Sequence, residues 1–250
     1  MPPEQAEILP PEPSLVPTPV EREPFWGYTD LALIIGLLVA SIVLMLIVVG
    51  FISAYKPSLR NDPTPLILPT QFALYGLIYV CFAVVFGMRY GRPVFSSLGW
   101  RRSKFNLAIA AIGGVLLALA VAGIAALLHT PKVDSPIDRL TKDPVSLAIF
   151  AVMAVSIAPL FEELLFRGFL QPLLSRTFGV IAGVLLTSVL FGALHGPEYS
   201  WAWQYVVAVS LAGAVFGWVR ASSNSIIPST VMHGCYNGLF VAALVIKGHQ

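Results

Sequence analysis

Long uncharged stretches dominate this chain and limit what it can fold into. The first of them, residues 31–55, contains 25 residues without a charge, which is enough to cross the roughly 30 Å hydrocarbon layer of a bilayer as one helix. The whole chain of 250 residues is 57% hydrophobic and only 11% charged, whereas a soluble domain carries about 25% charged residues. The sequence therefore predicts an all-α, polytopic integral membrane protein.

Six further apolar stretches bring the expected number of transmembrane helices to about seven. They cover residues 66–88, 105–128, 145–174, 178–194, 201–219 and 226–246. The fourth span, at roughly 30 residues, is longer than a straight crossing requires, so we expect it to tilt or to kink near Pro159.

The composition divides the chain into three parts. Residues 1–27 hold eight prolines and five glutamates but one arginine, a composition that cannot bury a core and predicts a disordered, partly polyproline tail. The tail lacks the basic start of a signal peptide, so we expect no cleaved segment. Residues 28–143 contain three N-terminal spans, and residues 144–250 contain a core of four spans.

The distribution of lysine and arginine gives an expected orientation. The side of the membrane that holds the N-terminus has 8 of these residues, against 6 on the opposite side. Five of the 8 lie in the loop between the second and third spans, together with Trp100. The positive-inside rule then predicts a multi-pass protein of the cell membrane with a cytoplasmic N-terminus. The net charge of +2 gives no indication of a nucleic-acid partner.

Two adjacent glutamates and an arginine interrupt the fourth span. A charged side chain at the centre of a membrane costs about 3 kcal/mol on insertion scales, so an intramembrane carboxylate suggests a function. Glu163 and Arg167 are four residues apart and can neutralise each other on one helix face. Glu162 points about 100° away from Glu163 and needs a partner from another helix.

Three polar residues in later spans are the candidate partners of Glu162. His195 ends the fifth span, and His233 lies in the seventh span with Asn237 four residues after it on the same face. Glu162 lies about 15 residues before the turn between the fourth and fifth spans, and His195 about 18 residues after it, which gives them similar depths. We expect these four side chains to converge on one polar cavity.

These residue types suit hydrolysis. A desolvated carboxylate such as Glu162 can act as a general base near neutral pH, and a neutral imidazole can hold the same water. Asn and His side chains can donate to a developing oxyanion. The chain contains no G-x-S-x-G and no H-E-x-x-H sequence, but Glu162, His195 and His233 could together bind zinc. We assign no cofactor, and zinc remains the alternative.

The three motifs together resemble the signature of the CAAX-protease and bacteriocin-processing family. These proteins are intramembrane endopeptidases related to the type II CAAX prenyl proteases. The motifs are Glu162-Glu163-x-x-x-Arg167, Phe191-x-x-x-His195 and His233-x-x-x-Asn237, and the resemblance extends over about residues 144–246.

The resemblance implies a function and a role for each residue. The substrate would be a membrane-anchored protein or peptide, hydrolysed within the bilayer by a water molecule that Glu162 activates and His195 helps to hold. His233 and Asn237 would stabilise the oxyanion. Glu163 and Arg167 would support the site structurally.

Three other interpretations remain open at this stage. The chain could be a non-catalytic membrane scaffold or immunity-type protein of the same fold. It could be a transporter with a Glu/His relay, although such a protein is expected to show inverted repeats that we do not find in the sequence. The polar residues could also serve helix packing alone.

Overall fold

The computed structural model describes residues 23–133, 137–140 and 143–248, and these residues fold into helices and connecting segments. Most of the predicted tail and His249 therefore lie outside the described residues. The helices are α1 (Tyr28–Tyr55), α2 (Pro57–Asn61), α3 (Thr64–Tyr90), α4 (Val94–Ser97), α5 (Leu107–Leu127), α6 (Ile137–Leu140), α7 (Pro144–Phe178), α8 (Val180–Leu194), α9 (Trp203–Ser223) and α10 (Ile226–Gly248).

The predicted polytopic helical bundle is confirmed. Within the described ranges, six helices are long and apolar enough to cross a membrane, namely α1, α3, α5, α7, α9 and α10. The predicted fifth span is α8, which has 15 residues and is therefore only about 22 Å long. It is short because Gly179, with a φ of 87°, separates it from α7, and a 3-10 turn at Gly196–Tyr199 follows it.

The alternating direction of the helices defines two ends of the bundle. The start of α1, the α3–α5 loop, the α7–α8 turn and the α9–α10 turn lie at one end, which we call the N-terminal face. Contacts confirm this placement, because Arg176 donates to the carbonyl of Pro24 at 2.6 Å and Ile226 donates to the carbonyl of Gly99 at 3.0 Å.

Helix α7 carries the glutamate motif and is irregular on both sides of it. Met153–Ile157 and Leu164–Leu170 are π-helical, and Ala158–Glu163 is an α-helical segment between them. Pro159 has no backbone N–H to donate to the preceding turn, and the N–H of Ala158 bonds to the carbonyl of Met153. The sequence predicted a tilt or a kink near Pro159, and the structure has π-turns on both sides of Ala158–Glu163; such turns are frequent at functional sites.

Two clusters of buried apolar side chains enclose the middle of α7. One is rich in aromatic rings and contains Trp26 and Phe169, and the other joins α5, α9 and α10 around Phe216. Trp26 is 2% exposed, and its indole nitrogen donates to the carbonyl of Phe169 at 3.2 Å. The last residues of the predicted tail are therefore part of the folded bundle.

Candidate active site

Glu163, Arg167 and His233 form a fully buried ionic group. Arg167 Nη1 lies 3.0 Å from Glu163 Oε1, and both side chains are 0% exposed. The same carboxylate oxygen lies 3.2 Å from Nδ1 of His233. Because a carboxylate only accepts, Nδ1 carries the proton in this contact. The predicted Glu163–Arg167 pair is present, and the structure adds His233 as a third member.

Arg167 is anchored to α9 as well as to Glu163. Its Nη2 donates to the carbonyl of Gly213 at 2.9 Å, and its guanidinium lies 4.5 Å from the ring centre of Phe191. One turn later, Gln171 donates to the carbonyl of Gly217 at 2.9 Å. A Cβ on Gly213 would lie 3.0 Å from Arg167 Nη2. The glycine thus allows α9 to approach the arginine closely.

Glu162 has different surroundings from its neighbour. Its side chain is 19% exposed, and its Oε1 accepts a hydrogen bond from the hydroxyl of Tyr75 at 3.1 Å. Its Oε2 lies 3.7 Å from Nε2 of His233, just outside hydrogen-bond distance. His233 therefore lies between the two carboxylates, with Nδ1 towards Glu163 and Nε2 towards Glu162. Of the predicted partners, His233 thus approaches Glu162 without a hydrogen bond, and the hydrogen bond to Glu162 comes from Tyr75.

The side chain of His195 caps the C-terminal end of α8. Its backbone N–H donates to Gly192 at 3.1 Å, so the carbonyl of Phe191 is left for the imidazole Nδ1, which lies 2.7 Å away. Nδ1 must carry the proton because a carbonyl only accepts, and Nε2 remains as an acceptor. The ring of Phe191 lies 4.5 Å from His195 and 5.7 Å from His233, measured between ring centres. Phe191 is thus in contact with both histidine rings.

Glu198 is a further acidic residue near His195. It lies in the 3-10 turn after His195, and burial raises its pKa above the ordinary glutamate value. The proximity of His195 opposes this rise in pKa, and the carboxylate of Glu162 adds to it. Glu198 therefore lies close enough to both residues to interact with them electrostatically. The sequence analysis assigned no role to Glu198.

Asn237 contacts the backbone of α7. Its Nδ2 donates to the carbonyl of Ala154 at 2.8 Å. That carbonyl has lost its usual donor inside the helix, because the N–H of Ala158 bonds to Met153 and Pro159 has no N–H. Asn237 thus satisfies an acceptor that the π-turn leaves open, and the amide keeps a second N–H and its oxygen for other contacts.

The described residues do not form a zinc site. They contain no group of three His, Cys, Asp or Glu side chains placed to hold one metal ion. The Nε2 of His233 lies 3.7 Å from Glu162 Oε2, and His195 completes no such group with them. The zinc alternative built from Glu162, His195 and His233 does not fit this arrangement, and we derive no step through a metal.

The comparison with protein families bears directly on this site. A family model described as Type II CAAX prenyl endopeptidase Rce1-like matches residues 144–239. This segment is therefore similar to the Rce1-like family. It begins with the first residue of α7 and contains all three motifs, which confirms the resemblance to the CAAX-protease and bacteriocin-processing family. None of the curated proteins and none of the solved structures matches the chain significantly.

The Rce1-like match supports protease activity in general terms, because this is a family of CAAX-type intramembrane proteases. The six spanning helices of the described residues and the shorter α8 make the chain a multi-pass membrane protein. One site residue lies outside the Rce1-like segment: Tyr75, which contacts Glu162, belongs to α3. The site therefore draws on the N-terminal helices as well.

Proposed function

We propose that this protein is an intramembrane endopeptidase that hydrolyses a peptide bond of a membrane-anchored protein or peptide, with Glu162 as the general base. The observation that carries the proposal is the difference between the two adjacent carboxylates. Glu163 is enclosed and neutralised by Arg167, whereas Glu162 remains partly exposed and can accept a proton from a bound water.

The arrangement of His233 supports a route for that proton. Glu162 would take a proton from the attacking water as the water oxygen bonds to the peptide carbonyl carbon. His233 Nε2, 3.7 Å away, could receive this proton, and the carboxylate of Glu163 on the other side of the ring would stabilise the imidazolium. The imidazolium would then donate to the oxyanion and finally to the leaving amine, which restores both groups.

His195 and Asn237 complete the proposed site. The free Nε2 of His195 is suited to accept a hydrogen bond from the attacking water, because Nδ1 is held by Phe191. The second N–H of Asn237 would donate to the oxyanion, since its first N–H is used by Ala154. An oxyanion donor of this kind contributes about 3–4 kcal/mol.

The proposed orientation places the N-terminal face in the cytoplasm of a cell-membrane protein. Arginines lie along this face, among them Arg92, Arg101, Arg176 and Arg220, as the positive-inside rule requires. A cysteine introduced at the exposed residue Ser96 tests this orientation. In intact cells it should react with a membrane-permeant thiol reagent and not with an impermeant one.

The test of the function is cleavage by the purified full chain in lipid vesicles. A membrane-anchored peptide that carries one reporter at each end should be cleaved at one peptide bond and give two products of defined mass. Glu162→Gln protein purified in parallel is the matched control against a contaminating protease. A scaffold would give no product with either protein. We expect the same rate with and without a strong chelator; a loss of activity that added Zn²⁺ restores would require a different site.

A further inference from the structure

A cavity of about 580 Å³ opens at the N-terminal face, apart from the candidate active site. The segment just before α1, the α3–α5 loop and the last turns of α7 and α9 line it. Its volume falls within the range of about 300–1,000 Å³ that is typical of pockets for small ligands.

The lining of this cavity is strongly basic. Four arginines line it, and Glu23 is the one carboxylate among the lining residues that the structure describes. They come from three segments: Arg92 and Arg101 from the α3–α5 loop, Arg176 from α7 and Arg220 from α9. Clusters of this kind recognise phosphate, because the planar guanidinium donates two parallel hydrogen bonds to it.

Three of these arginines are held in place by neutral acceptors. Arg176 donates to the carbonyl of Pro24 at 2.6 Å, and Arg101 donates to the carbonyl of Asn224 at 2.8 Å. Arg220 donates to the side-chain oxygen of Asn224 at 3.2 Å. These acceptors carry no formal charge, so the hydrogen bonds fix the side chains without neutralising them, although Glu23 and Glu163 attract Arg220 electrostatically.

Arg220 also carries an unused donor. Its Nε is buried and has no hydrogen-bond acceptor among the described residues. Buried donors of this kind are rare in folded proteins. A ligand oxygen in the cavity beside it would supply the missing acceptor.

A purely structural role explains only part of this cluster. Arg176 and Arg220 lie in the last turns of α7 and α9, where a cation is favoured by the helix dipole. Arg92 and Arg101 belong to the α3–α5 loop, so the dipole does not account for them. Their convergence on the same cavity favours an anionic ligand.

We infer that this cavity binds the phosphate of an anionic phospholipid headgroup from the adjacent leaflet. The cavity lies where the spanning helices begin and end, which is the level of the headgroups, and Trp100 in the same loop is 37% exposed there, as expected for an interfacial ring. A second basic depression with Arg102 and Lys104 adjoins it and shares Arg101. Basic pockets between transmembrane helices typically hold such headgroups.

The first experiment measures ligand binding to the purified full chain in a neutral detergent. Short-chain phosphatidylglycerol, short-chain phosphatidylcholine and inorganic phosphate are titrated separately, and the thermal unfolding temperature is followed. We expect a saturable rise with phosphatidylglycerol and little change with the other two. An equal saturable rise with inorganic phosphate would overturn the lipid assignment in favour of a free-phosphate site, and no saturable rise with any probe would overturn the site.

Variants test whether phosphatidylglycerol binds in this cavity. Arg220→Gln should weaken the apparent affinity for phosphatidylglycerol about tenfold or more, as expected for a lost charge-assisted hydrogen bond. Arg60→Gln removes an exposed arginine at the opposite end of the bundle and should leave this affinity unchanged. An equal loss in both variants would show a nonspecific charge effect and contradict the inference.

A second pair of variants does not depend on removing a packed arginine. Ser96 is exposed and lines the cavity. Ser96→Glu adds a negative charge to the lining and should weaken phosphatidylglycerol binding severalfold. Ser96→Gln introduces a side chain of the same size as glutamate but without the charge, and it should not weaken binding. Equal affinity in these two variants would contradict the inference, whatever the folding behaviour of Arg220→Gln.

Discussion

The carboxylate of Glu163 and the imidazole of His233 are 70 residues apart in the sequence and 3.2 Å apart in the structure. This contact gives Glu163 a second task besides balancing Arg167. It fixes the proton of His233 on Nδ1 and turns Nε2 towards Glu162. The two adjacent glutamates of the motif therefore lie next to different nitrogens of the same imidazole.

Removing the charge of Glu163 should mainly harm folding. Glu163→Gln leaves the guanidinium of Arg167 buried without its counterion, which destabilises a protein by about 3–5 kcal/mol. We expect a clearly lower thermal unfolding temperature in detergent. The double variant Glu163→Gln/Arg167→Met removes both charges and should recover part of the loss. Unchanged unfolding of Glu163→Gln would contradict the ionic group described above.

Tyr75 is expected to contribute to activity and not to folding. Tyr75→Phe removes the hydroxyl that donates to Glu162, a hydrogen bond to a charged group, so kcat/KM should fall about tenfold or more. Tyr79→Phe is the matched control, because Tyr79 lies one turn further along α3 and is 39% exposed. Equal activity of Tyr75→Phe and wild type would show that Tyr75 does not position Glu162.

The sequence was sufficient to predict the helices and the local ion pair. Long apolar stretches decide the spans because bilayer thickness fixes their length, and the spacing of Glu163 and Arg167 places them on one helix face. The span predicted at residues 178–194 is α8, Val180–Leu194, which begins two residues later because Gly179 separates it from α7. The π-turns of α7 were not predicted; the sequence indicated a tilt of the long span or a kink near Pro159.

The contacts between helices could not be predicted in the same way. Tyr75 is one of several tyrosines in an apolar helix, and the residues that flank it in the sequence do not indicate a contact with Glu162. The contact of His233 with Glu163 depends on the rotation of α10 about its own axis, which the sequence does not fix. Asn237 was expected to face the substrate, and its bond to Ala154 arises from a π-turn in another helix.

The bond between Asn237 and Ala154 can be tested by a double-mutant cycle. Asn237→Ala leaves the carbonyl of Ala154 without a donor, which should destabilise the protein by about 1–3 kcal/mol. Pro159→Ala restores a backbone N–H next to the π-turn, so the same asparagine substitution should cost less in that background. Additive effects of the two substitutions on unfolding would contradict this account of the π-turn.

Glu198 should make the protein less stable as the pH rises. A carboxyl group whose pKa is raised by burial binds its proton more tightly in the folded state, so stability falls between its ordinary pKa and the raised value. Glu198→Gln should therefore unfold at a higher temperature than wild type at neutral pH, with no difference in acid.

Asp143 provides a control in which the pKa is shifted in the opposite direction. The hydrogen bond from Ser146 holds the pKa of Asp143 below its ordinary value. Its stabilising effect is therefore present above the ordinary pKa of an aspartate and disappears as the pH falls through the lowered value. Asp143→Asn should reduce stability at neutral pH but not in acid. The same sign of change in both variants would contradict the assignments.

The most direct test of the central claim compares Glu162→Gln with Glu163→Gln in one assay. Both proteins are reconstituted into vesicles, and their unfolding temperatures and their rates of cleavage of the membrane-anchored peptide are measured. We expect Glu162→Gln to unfold like wild type and to form no product, because an amide keeps the volume of the side chain but cannot take a proton from water. Product formation by a folded Glu162→Gln protein at a rate near that of wild type would contradict the account.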